Sequence, residues 1–553
     1  MTVYGWLQVV FLVAVLVAVH VPLGDYMARA YTGTKHWRVE KAIYRTCGVN
    51  PDGEQDGRRY FSALMAFTLI GIAALFALFM LQDRLPWDHG HPGLPWQLAL
   101  NTSVSFTTNT SWQNYAGEST MGHLSVMAGL GVQAFASAAV GLCVGLVLIR
   151  GLTRHSTRDL GNFWVDLVRS IIRILLPLSI VAGLILIVLG VEQNLDGTQL
   201  SSTLTGGAGS QKLIGGPIGS WEPIKLMSGD GGGFFNANSA HPFENPNAWS
   251  NTIEILLMLL IPVAFIRTFG RMIGSLKHSW TLLTVVGILF GLLVLAANLA
   301  QSAHSGTVAQ AVGGNVEGTE VRFGTPGSTL FGVAATGSAD GAANASYDSF
   351  SSLGGGTLMA AMMLGEIAPG GTGSGLYGLI MIVLIAVFVG GLMIGRTPEY
   401  LSKRIGISEM RYVVCYALVA PTLILAASAV AIALPAGRAA MGNSGAHGLS
   451  EIVYAATSTT QSNGSSFGGL SGNTPFYNLG MCVTMFVGRY LPMVFVLALA
   501  GRLAEQKPVA VTTGTLRASG LNFVALATGA AMLLALLNFL PALSLGPLAD
   551  GMH

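Results

Sequence analysis

The stretch Ala456-Thr-Ser-Thr-Thr-Gln-Ser-Asn-Gly-Ser-Ser-Phe467 separates two apolar runs of the chain, and loops of the same kind occur at three earlier positions. Each is short, rich in Gly, Ser, Thr, Asn or an amide side chain, and lies between long apolar segments. Loops rich in backbone carbonyls are how membrane proteins replace the hydration shell of a monovalent cation. Four copies predict a pore with pseudo-fourfold symmetry. The three earlier loops cover residues 107–114, 228–239 and 335–346.

The composition is that of a multi-spanning membrane protein. Of 553 residues, 52% are hydrophobic and 10% are charged, whereas soluble domains have about 25% charged residues. The net charge of +2 gives no indication of a nucleic-acid partner. Because a span needs about 20 apolar residues, ten spans are predicted. They cover residues 4–24, 61–82, 122–149, 168–191, 251–268, 279–300, 357–395 (interrupted), 412–435, 475–501 and 519–540.

The basic residues predict the orientation of these spans. Five alternate connections between spans hold 22 of the 28 Lys and Arg residues. By the positive-inside rule these connections are cytoplasmic, so both termini and all four polar loops are predicted to lie outside. The bacterial inner membrane is the expected location.

We therefore predict an all-α polytopic membrane protein of ten transmembrane helices, in which four helix, re-entrant loop, helix units surround a central filter. The predicted units are 1–60 (an extra span and cytoplasmic loop), 61–165 (repeat one, filter 107–114), 166–278 (repeat two, filter 228–239), 279–411 (repeat three, filter 335–346, with the broken helix 357–395), 412–510 (repeat four, filter 456–467) and 511–553 (a final span).

The residues before the fourth loop suggest how it could face a cation. Residues 449–457 predict a turn or two of helix, too short to span, whose partly negative C-terminal end would point into the membrane. Alignment on Asp-Gly or Asn-Gly pairs Gly231, Gly341 and Gly464, because glycine permits φ > 0, and leaves Gln113 in the first loop. The alternative is that the loops are ordinary outer turns, where the same residue types dominate.

Four segments carry a resemblance to a known family: 108–113 (Thr-Asn-Thr-Ser-Trp-Gln), 231–246, 365–378 and 486–492. In them the chain resembles the potassium-binding A subunit of the Kdp potassium-transporting ATPase, a bacterial four-component complex related to the Trk, Ktr and HKT transporters. The resemblance implies one key glycine per repeat, matched by Gly231, Gly341 and Gly464, with Gln113 standing in the first repeat. The candidate potassium-binding residues are Asn109, Thr110, Gln113, Gly231, Asn236, Asn238, Gly341, Asn344, Asn463 and Gly464.

The same resemblance implies a division of labour. This protein would capture external K⁺, its only bound ion, and pass it through an intramembrane tunnel to the P-type ATPase, which is the catalytic B component of the complex. The C component and the small F component would complete the assembly. The sequence contains neither GxxxxGK[ST] nor Asp-Lys-Thr-Gly. We therefore expect no nucleotide on this chain and no catalysis by it alone.

Two features inside spans are candidates for gating. The seventh span is interrupted, and a discontinuous helix marks the ion path in many transporters. It carries Gly370, Gly371, Gly373 and Gly375, and the acid before them is Glu366; a packing kink, with Glu366 binding freed N–H groups, is the alternative. Arg489 lies within span nine, where an unpaired guanidinium is costly. Arg489 either pairs with a group such as Glu366 or places a fixed positive charge beneath the filter.

Two other functions compete with this interpretation. One is a stand-alone Trk- or Ktr-like potassium transporter or channel, which association with an ATPase would exclude. The other is a membrane-embedded enzyme such as an intramembrane hydrolase. No Ser/His or paired Asp constellation lies in facing spans, which disfavours an enzyme.

Overall fold

The computed structural model describes residues 3–202, 210–303, 316–393, 395, 397–509 and 518–552. Within these ranges, ten helices are long and apolar enough to cross a membrane, which confirms the all-α, ten-span prediction. In chain order these spans are Gly5–Thr32, Gly57–Met80, Ser125–Thr153, Phe163–Val188, Ala248–Met272, Leu276–Ser302, Ser374–Met393, Ile407–Ala433, Pro475–Glu505 and Leu521–Leu548.

Four shorter helices, each followed by a polar loop, are here called half-helices one to four: Trp96–Thr107, Ile218–Ser228, Gly324–Gly337 and Gly445–Gln461. The remaining α-helices are Arg38–Thr46, Gly117–Thr120, Ser352–Met363 and Pro435–Arg438. Two small antiparallel hairpins pair Thr198–Ser202 with Ser210–Ile214, and Glu399–Tyr400 with Lys403–Arg404.

Spans three and five form the centre of the described fold. Span three is almost entirely buried, and its inner part is rich in alanine and glycine. Small residues let neighbouring backbones approach closely where the membrane offers no hydrophobic driving force between helices. At Gly145, for example, an added Cβ would lie 2.6 Å from the ring of Phe265 on span five. Spans one, two and eight keep most of their apolar side chains on the outside, as expected for helices facing lipid.

The interruption of the predicted seventh span lies earlier than the sequence indicated. The first helical piece ends at Met363 rather than near residue 368, and the second begins at Ser374. Positive φ angles at Gly365 (83°), Glu366 (50°) and Gly370 (93°) cannot continue a right-handed helix. The apolar residues 367 and 368 therefore belong to the break, which we define as residues 364–373.

Half-helix four is longer than predicted, with 17 residues from Gly445 to Gln461. The sequence prediction stopped at the end of the apolar run. The polar residues that follow stay helical because their hydroxyls bond to the preceding turn. Thr457 Oγ1 donates to the carbonyl of Val453 (2.7 Å), and Thr459 Oγ1 donates to that of Ala455 (2.8 Å).

Candidate ion-binding site

All four half-helices end in the same backbone geometry. Two or three residues beyond the end of each half-helix, an N–H donates back to the carbonyl five residues earlier, as in a Schellman ending. The residue before that N–H adopts the left-handed conformation in every case, although four different residue types occupy it. These residues are Asn109 (φ 58°), Gly229 (φ 61°), Ala339 (φ 58°) and Ser462 (φ 65°).

This shared geometry sets the register of the four loops and corrects the sequence alignment. The N–H groups that make the five-residue return bond belong to Thr110, Asp230, Asp340 and Asn463. The next residue is glycine in three loops and Ser111 in the first. Ser111, not Gln113, therefore stands at the position of Gly231, Gly341 and Gly464. The sequence alignment required an Asp-Gly or Asn-Gly pair, and Thr-Ser did not match it.

The four loops close into a ring, and contact between neighbouring loops shows the order. Asn109 Nδ2 donates to the carbonyl of Gly229, 2.6 Å away, which joins loops one and two. The other three junctions are approaches too close for a side chain. A Cβ on Gly231 would lie 2.6 Å from the carbonyl carbon of Gly341, and one on Gly341 would lie 3.1 Å from Gly464 Cα.

The junction between loops four and one closes the ring. A Cβ on Gly464 would overlap the carbonyl oxygen of Thr110 and lie 3.2 Å from the carbonyl carbon of Ser111. Close approach therefore requires glycine at three of the four equivalent positions. Gly231 (φ 76°) and Gly464 (φ 97°) also need glycine for their backbone angles, whereas Gly341 does not adopt a positive φ. Our expectation of a strained backbone at Gly341 was wrong, and its constraint is space alone.

The hydrogen bonding of the ring leaves its carbonyl oxygens available. The N–H groups of the two ring residues in each loop point back to their own half-helix in loops one, two and four; Gly464 N, for example, donates to Ser458 Oγ at 2.9 Å. Within the described ranges, no protein group donates to the carbonyl oxygens of these residues. Almost all of them are buried, where a bare carbonyl is costly. The eight residues are Thr110, Ser111, Asp230, Gly231, Asp340, Gly341, Asn463 and Gly464.

The charges around the ring favour a cation. Four half-helices direct their partly negative C-terminal ends toward it. Two of the ring residues, Asp230 and Asp340, carry fully buried carboxyl groups. Asp340 Oδ1 accepts the N–H of Ala342 at 2.9 Å, which uses one of its oxygens within the loop. A ring of carbonyls at the partly negative ends of four helices can hold a monovalent cation without its water.

Gln113 fastens two loops together. Its Oε1 accepts the N–H of Gly233 at 2.9 Å, and its Nε2 donates to the carbonyl of Gly233 at 3.2 Å and to Tyr115 Oη at 3.1 Å. Both ends of the amide are therefore occupied by protein, at the outer edge of the ring. The geometry gives Gln113 a positioning role between loops one and two.

Besides Asn109 and Gln113, three predicted filter residues lie outside the ring. Asn236 is exposed, and its backbone N–H donates to Glu118. Asn238 Oδ1 accepts from the ammonium group of Lys225 at 2.9 Å, and Asn344 Nδ2 donates to Asn251 Oδ1 at 2.8 Å. The side chains of Asn238 and Asn344 hold the outer loops in place. Sequence reasoning grouped them with the filter because it could not tell which amides in a long loop turn inward.

A buried charged cluster supports the second half-helix, and the sequence analysis missed it. Lys225 is fully buried and its Nζ lies 2.7 Å from Glu244 and 2.9 Å from Glu222. The backbone carbonyl of Lys225 accepts the N–H groups of Asp230 (3.3 Å) and Gly231 (3.1 Å). The side chain therefore fixes the residue that orients the second filter loop. Glu222 lies one turn earlier on the same helix, but Glu244 is 19 residues away, so the sequence offered only a Glu–Lys pair in an apolar helix as a signal.

The break in the seventh span lies against the ends of the half-helices. Gly370 N donates to the carbonyl of Gly337 (2.8 Å), and Thr372 Oγ1 donates to that of Met227 (3.0 Å). Gly371 approaches Ala339, where an added Cβ would lie 2.8 Å from the alanine Cβ. The break thus passes beneath half-helices two and three.

The remaining glycines of the break allow it to pack tightly. A Cβ on Gly373 would overlap the backbone of Gly141 on span three, and one on Gly375 would lie 2.5 Å from Gly370 Cα. Glu366 is buried, and its Oε1 has no hydrogen-bond partner within the described ranges. It therefore does not use that oxygen to satisfy the freed backbone of the break.

Arg489 is a buried guanidinium without an ion pair in the described part of the chain. Its one hydrogen bond there is from Nη2 to the carbonyl of Ser137, at 3.5 Å. Ser137 Oγ in turn donates to Asn109 Oδ1 at 3.1 Å, so Ser137 connects Arg489 to the residue that precedes the ring residue Thr110. No carboxylate oxygen of Glu366 lies within 4.0 Å of it, which favours a fixed charge over a structural pair.

Sequence comparison identifies the family of this chain. Residues 10–552 match the profile of the family described as KdpA, potassium-transporting ATPase A subunit. The chain belongs to this family. Relatives named potassium-transporting ATPase potassium-binding subunit include those of Streptomyces coelicolor (48% identical, 99% of each chain covered), Clavibacter michiganensis (49%, covering 100% and 99%) and Mycolicibacterium smegmatis (50%, covering 98% of each). The resemblance seen in the sequence is confirmed.

Structural comparison supports the same fold. The chain is similar to the crystal structure of the potassium transporter TrkH from Vibrio parahaemolyticus, with a TM-score of 0.53 and 13% sequence identity. The match covers 88% of this chain and 96% of that one. At this identity the likeness concerns the fold, which in TrkH also has repeated pore-loop units. The predicted pseudo-repeat architecture is confirmed.

Proposed function

We propose that this protein is the potassium-binding and translocating subunit of an ATP-driven potassium uptake complex. The observation that carries the proposal is the closed ring of buried carbonyl oxygens to which no described protein group donates. Potassium is the cation that the names of the family and of its relatives indicate. In this proposal the ring removes the water of an external K⁺ ion, and the chain itself hydrolyses no nucleotide.

A closed path below the ring would determine how K⁺ leaves it. We propose that the break 364–373 and Arg489 close the direct path to the cytoplasm. Captured K⁺ would then leave sideways through an intramembrane tunnel to the catalytic P-type ATPase, the B component of the complex. The C and F components would complete the assembly. The bacterial inner membrane, with both chain termini outside, is the location that the distribution of basic residues supports.

Co-purification tests this function. The chain is extracted in mild detergent from cells that express all components of the complex, and ATP hydrolysis is measured against K⁺ concentration. An attached ATPase whose activity rises with K⁺ supports the proposal. Passive potassium flux by the chain alone in liposomes, with no attached ATPase, would instead favour the stand-alone transporter whose fold it shares.

Changing Gln113 to arginine is expected to weaken potassium binding. The change removes the clamp on Gly233 and places a positive charge at the edge of the ring, where a like charge at 4 Å costs about 4 kcal/mol at an effective dielectric constant near 20. We expect the K⁺ concentration for half-maximal ATPase activity to rise by more than about tenfold. Asn236→Arg, which adds the same charge on an exposed outer residue, is the control. Equal effects of the two variants would remove Gln113 from the site.

Changing Arg489 to glutamine is expected to uncouple transport. Without the positive charge, a cation meets a lower barrier below the ring, and K⁺ concentrated in the cell can flow back. We expect ATP-driven uptake per ATP hydrolysed to fall and passive ⁸⁶Rb⁺ leak from proteoliposomes to rise several-fold. Arg502→Gln, at the exposed end of the same span, is the control. If Arg489→Gln leaves uptake, coupling and leak unchanged in an intact complex, Arg489 does not close the path below the ring.

A further inference from the structure

A second polar cavity lies far from the ring, on the face that carries the basic loops. It has a volume of about 500 Å³ and lies between the end of span one, the connection that follows helix Arg38–Thr46, the end of span three and the start of span four. Its lining includes three arginines, Arg150, Arg154 and Arg169. Nothing in the proposed path of potassium uses this cavity.

Arg169 lines the cavity with an unsatisfied guanidinium. The residue is only 5% exposed, and its Nε has no hydrogen-bond partner in the described ranges. Its other bonds are long: Nη1 reaches the carbonyl of Tyr31 at 3.3 Å, and Nη2 reaches His36 Nδ1 at 3.5 Å. A buried charge without a partner costs several kcal/mol. An anion bound in the cavity next to Arg169 would therefore be stabilised.

The neighbouring carboxylates form ion pairs with other arginines. Glu40 gives both oxygens to Arg173, at 2.5 and 2.6 Å. Asp166 likewise binds Arg150 through both oxygens. No carboxylate of the described chain lies within 4.0 Å of Arg169.

Glu54, Asp52 and His36, other charged or titratable groups at the cavity, do not neutralise the charge of Arg169. Glu54 pairs with Arg154 at 2.9 Å, and Asp52 is exposed at the rim. Burial and the adjacent guanidinium of Arg169 lower the pKa of His36, so His36 is neutral at pH 7 and accepts a hydrogen bond without adding charge. The cavity thus holds one guanidinium whose charge is not balanced by an ion pair.

We propose that this cavity binds a phosphate group, with Arg169 as its main donor. A guanidinium offers a planar fork of N–H donors that matches phosphate oxygens. Two sources share this chemistry: the headgroup of an anionic phospholipid and free inorganic phosphate.

The surroundings of the cavity favour the lipid headgroup. Helix Arg38–Thr46 adjoins it and is amphipathic, with Arg38, Lys41 and Arg45 among its nine residues. Beside this helix, Trp37 is 47% exposed, although the Arg173 guanidinium lies 5.0 Å from its ring centroid. Basic amphipathic helices with an exposed tryptophan lie at the membrane interface and attract anionic lipids.

The test compares lipid retention by the purified complex. The wild-type complex, Arg169→Gln and the control Arg158→Gln are assembled in nanodiscs with phosphatidylcholine and phosphatidylglycerol in equal amounts. Arg158 is a control because it is a highly exposed arginine of the same face that does not line this cavity. Native mass spectrometry then counts the phospholipids that remain bound after mild detergent extraction. We expect Arg169→Gln to reduce bound phosphatidylglycerol about tenfold, a change of about 1.4 kcal/mol, and Arg158→Gln to leave it unchanged.

Two further measurements decide the source and guard against misfolding. Binding of ³²P-labelled inorganic phosphate to the wild-type complex, lost in Arg169→Gln, with no preference for phosphatidylglycerol, would support the phosphate site and assign it to the free ion. Arg169→Lys keeps the charge without the fork and should retain an intermediate amount of ligand. If Arg169→Gln does not assemble, ligand retention is compared between the wild-type complex and Arg169→Lys, and this comparison tests the proposal. Equal retention of the two lipids and no phosphate binding by the wild-type complex would overturn the proposal.

Discussion

Replacing Gly464 by alanine is expected to abolish high-affinity potassium binding. The added Cβ would overlap the carbonyl oxygen of Thr110 across the junction of loops four and one. Gly464 also has φ of 97°, an angle that residues with a side chain rarely adopt. Overpacking and backbone strain each cost about 1–3 kcal/mol. Relief requires the two loops to separate, which moves carbonyl oxygens of the ring.

The K⁺ concentration for half-maximal ATPase activity should rise by a factor of about 30 or more, which corresponds to about 2 kcal/mol. A wider ring should also discriminate less strongly between potassium and rubidium or ammonium before activity is lost. Gly468→Ala is the matched control, because it lies in the same loop without a positive φ, and its added Cβ would contact nothing within 4 Å. Should both variants keep wild-type affinity and selectivity, the ring is not the filter.

Replacing Lys225 by methionine is expected to destabilise the protein and displace the second loop. The change leaves Glu222, Glu244 and the adjacent Glu254 fully buried without their cation. Removal of one partner of a buried ion pair typically costs about 3–5 kcal/mol. Because the backbone carbonyl of Lys225 accepts the N–H groups of Asp230 and Gly231, the disturbance should reach the ring.

We expect Lys225→Met to lower the melting temperature of the purified complex and to raise its half-maximal K⁺ concentration. Lys212→Met, which removes an exposed lysine on the neighbouring hairpin, should do neither. Adding Glu222→Gln to Lys225→Met should recover part of the stability, because it removes one of the stranded charges. A Lys225→Met complex as stable as the wild type would show that the cluster does not support the fold.

The sequence predicted the fold well because apolar length and loop composition carry that information locally. The ten spans could be predicted because each crossing of the membrane requires a long apolar segment. Gly231 and Gly464 could be predicted because only glycine fits at their positions. The first loop shows where this reasoning fails. Its ring residue Ser111 stands where the other three loops have glycine, so the first loop does not match the glycine pattern, and backbone geometry alone reveals the register.

Contacts between distant segments explain the other differences. The clamp of Gln113 on Gly233 joins residues 120 apart, and the ion pair of Lys225 with Glu244 joins residues 19 apart, so their sequence positions give no sign of proximity. The early start of the break likewise depends on backbone angles at Gly365 and Glu366, which apolar periodicity does not report. Asn238 illustrates the reverse error, because its amide fits an ion site by type but binds a buried lysine instead.

The position of the bound ion tests the central claim most directly. Crystals of the purified complex are grown in Rb⁺, and its anomalous scattering is measured with and without competing K⁺. The account predicts a peak inside the ring, within coordination distance of carbonyl oxygens from all four loops, that K⁺ removes. A K⁺-sensitive peak elsewhere in the chain, with none in the ring, would contradict it.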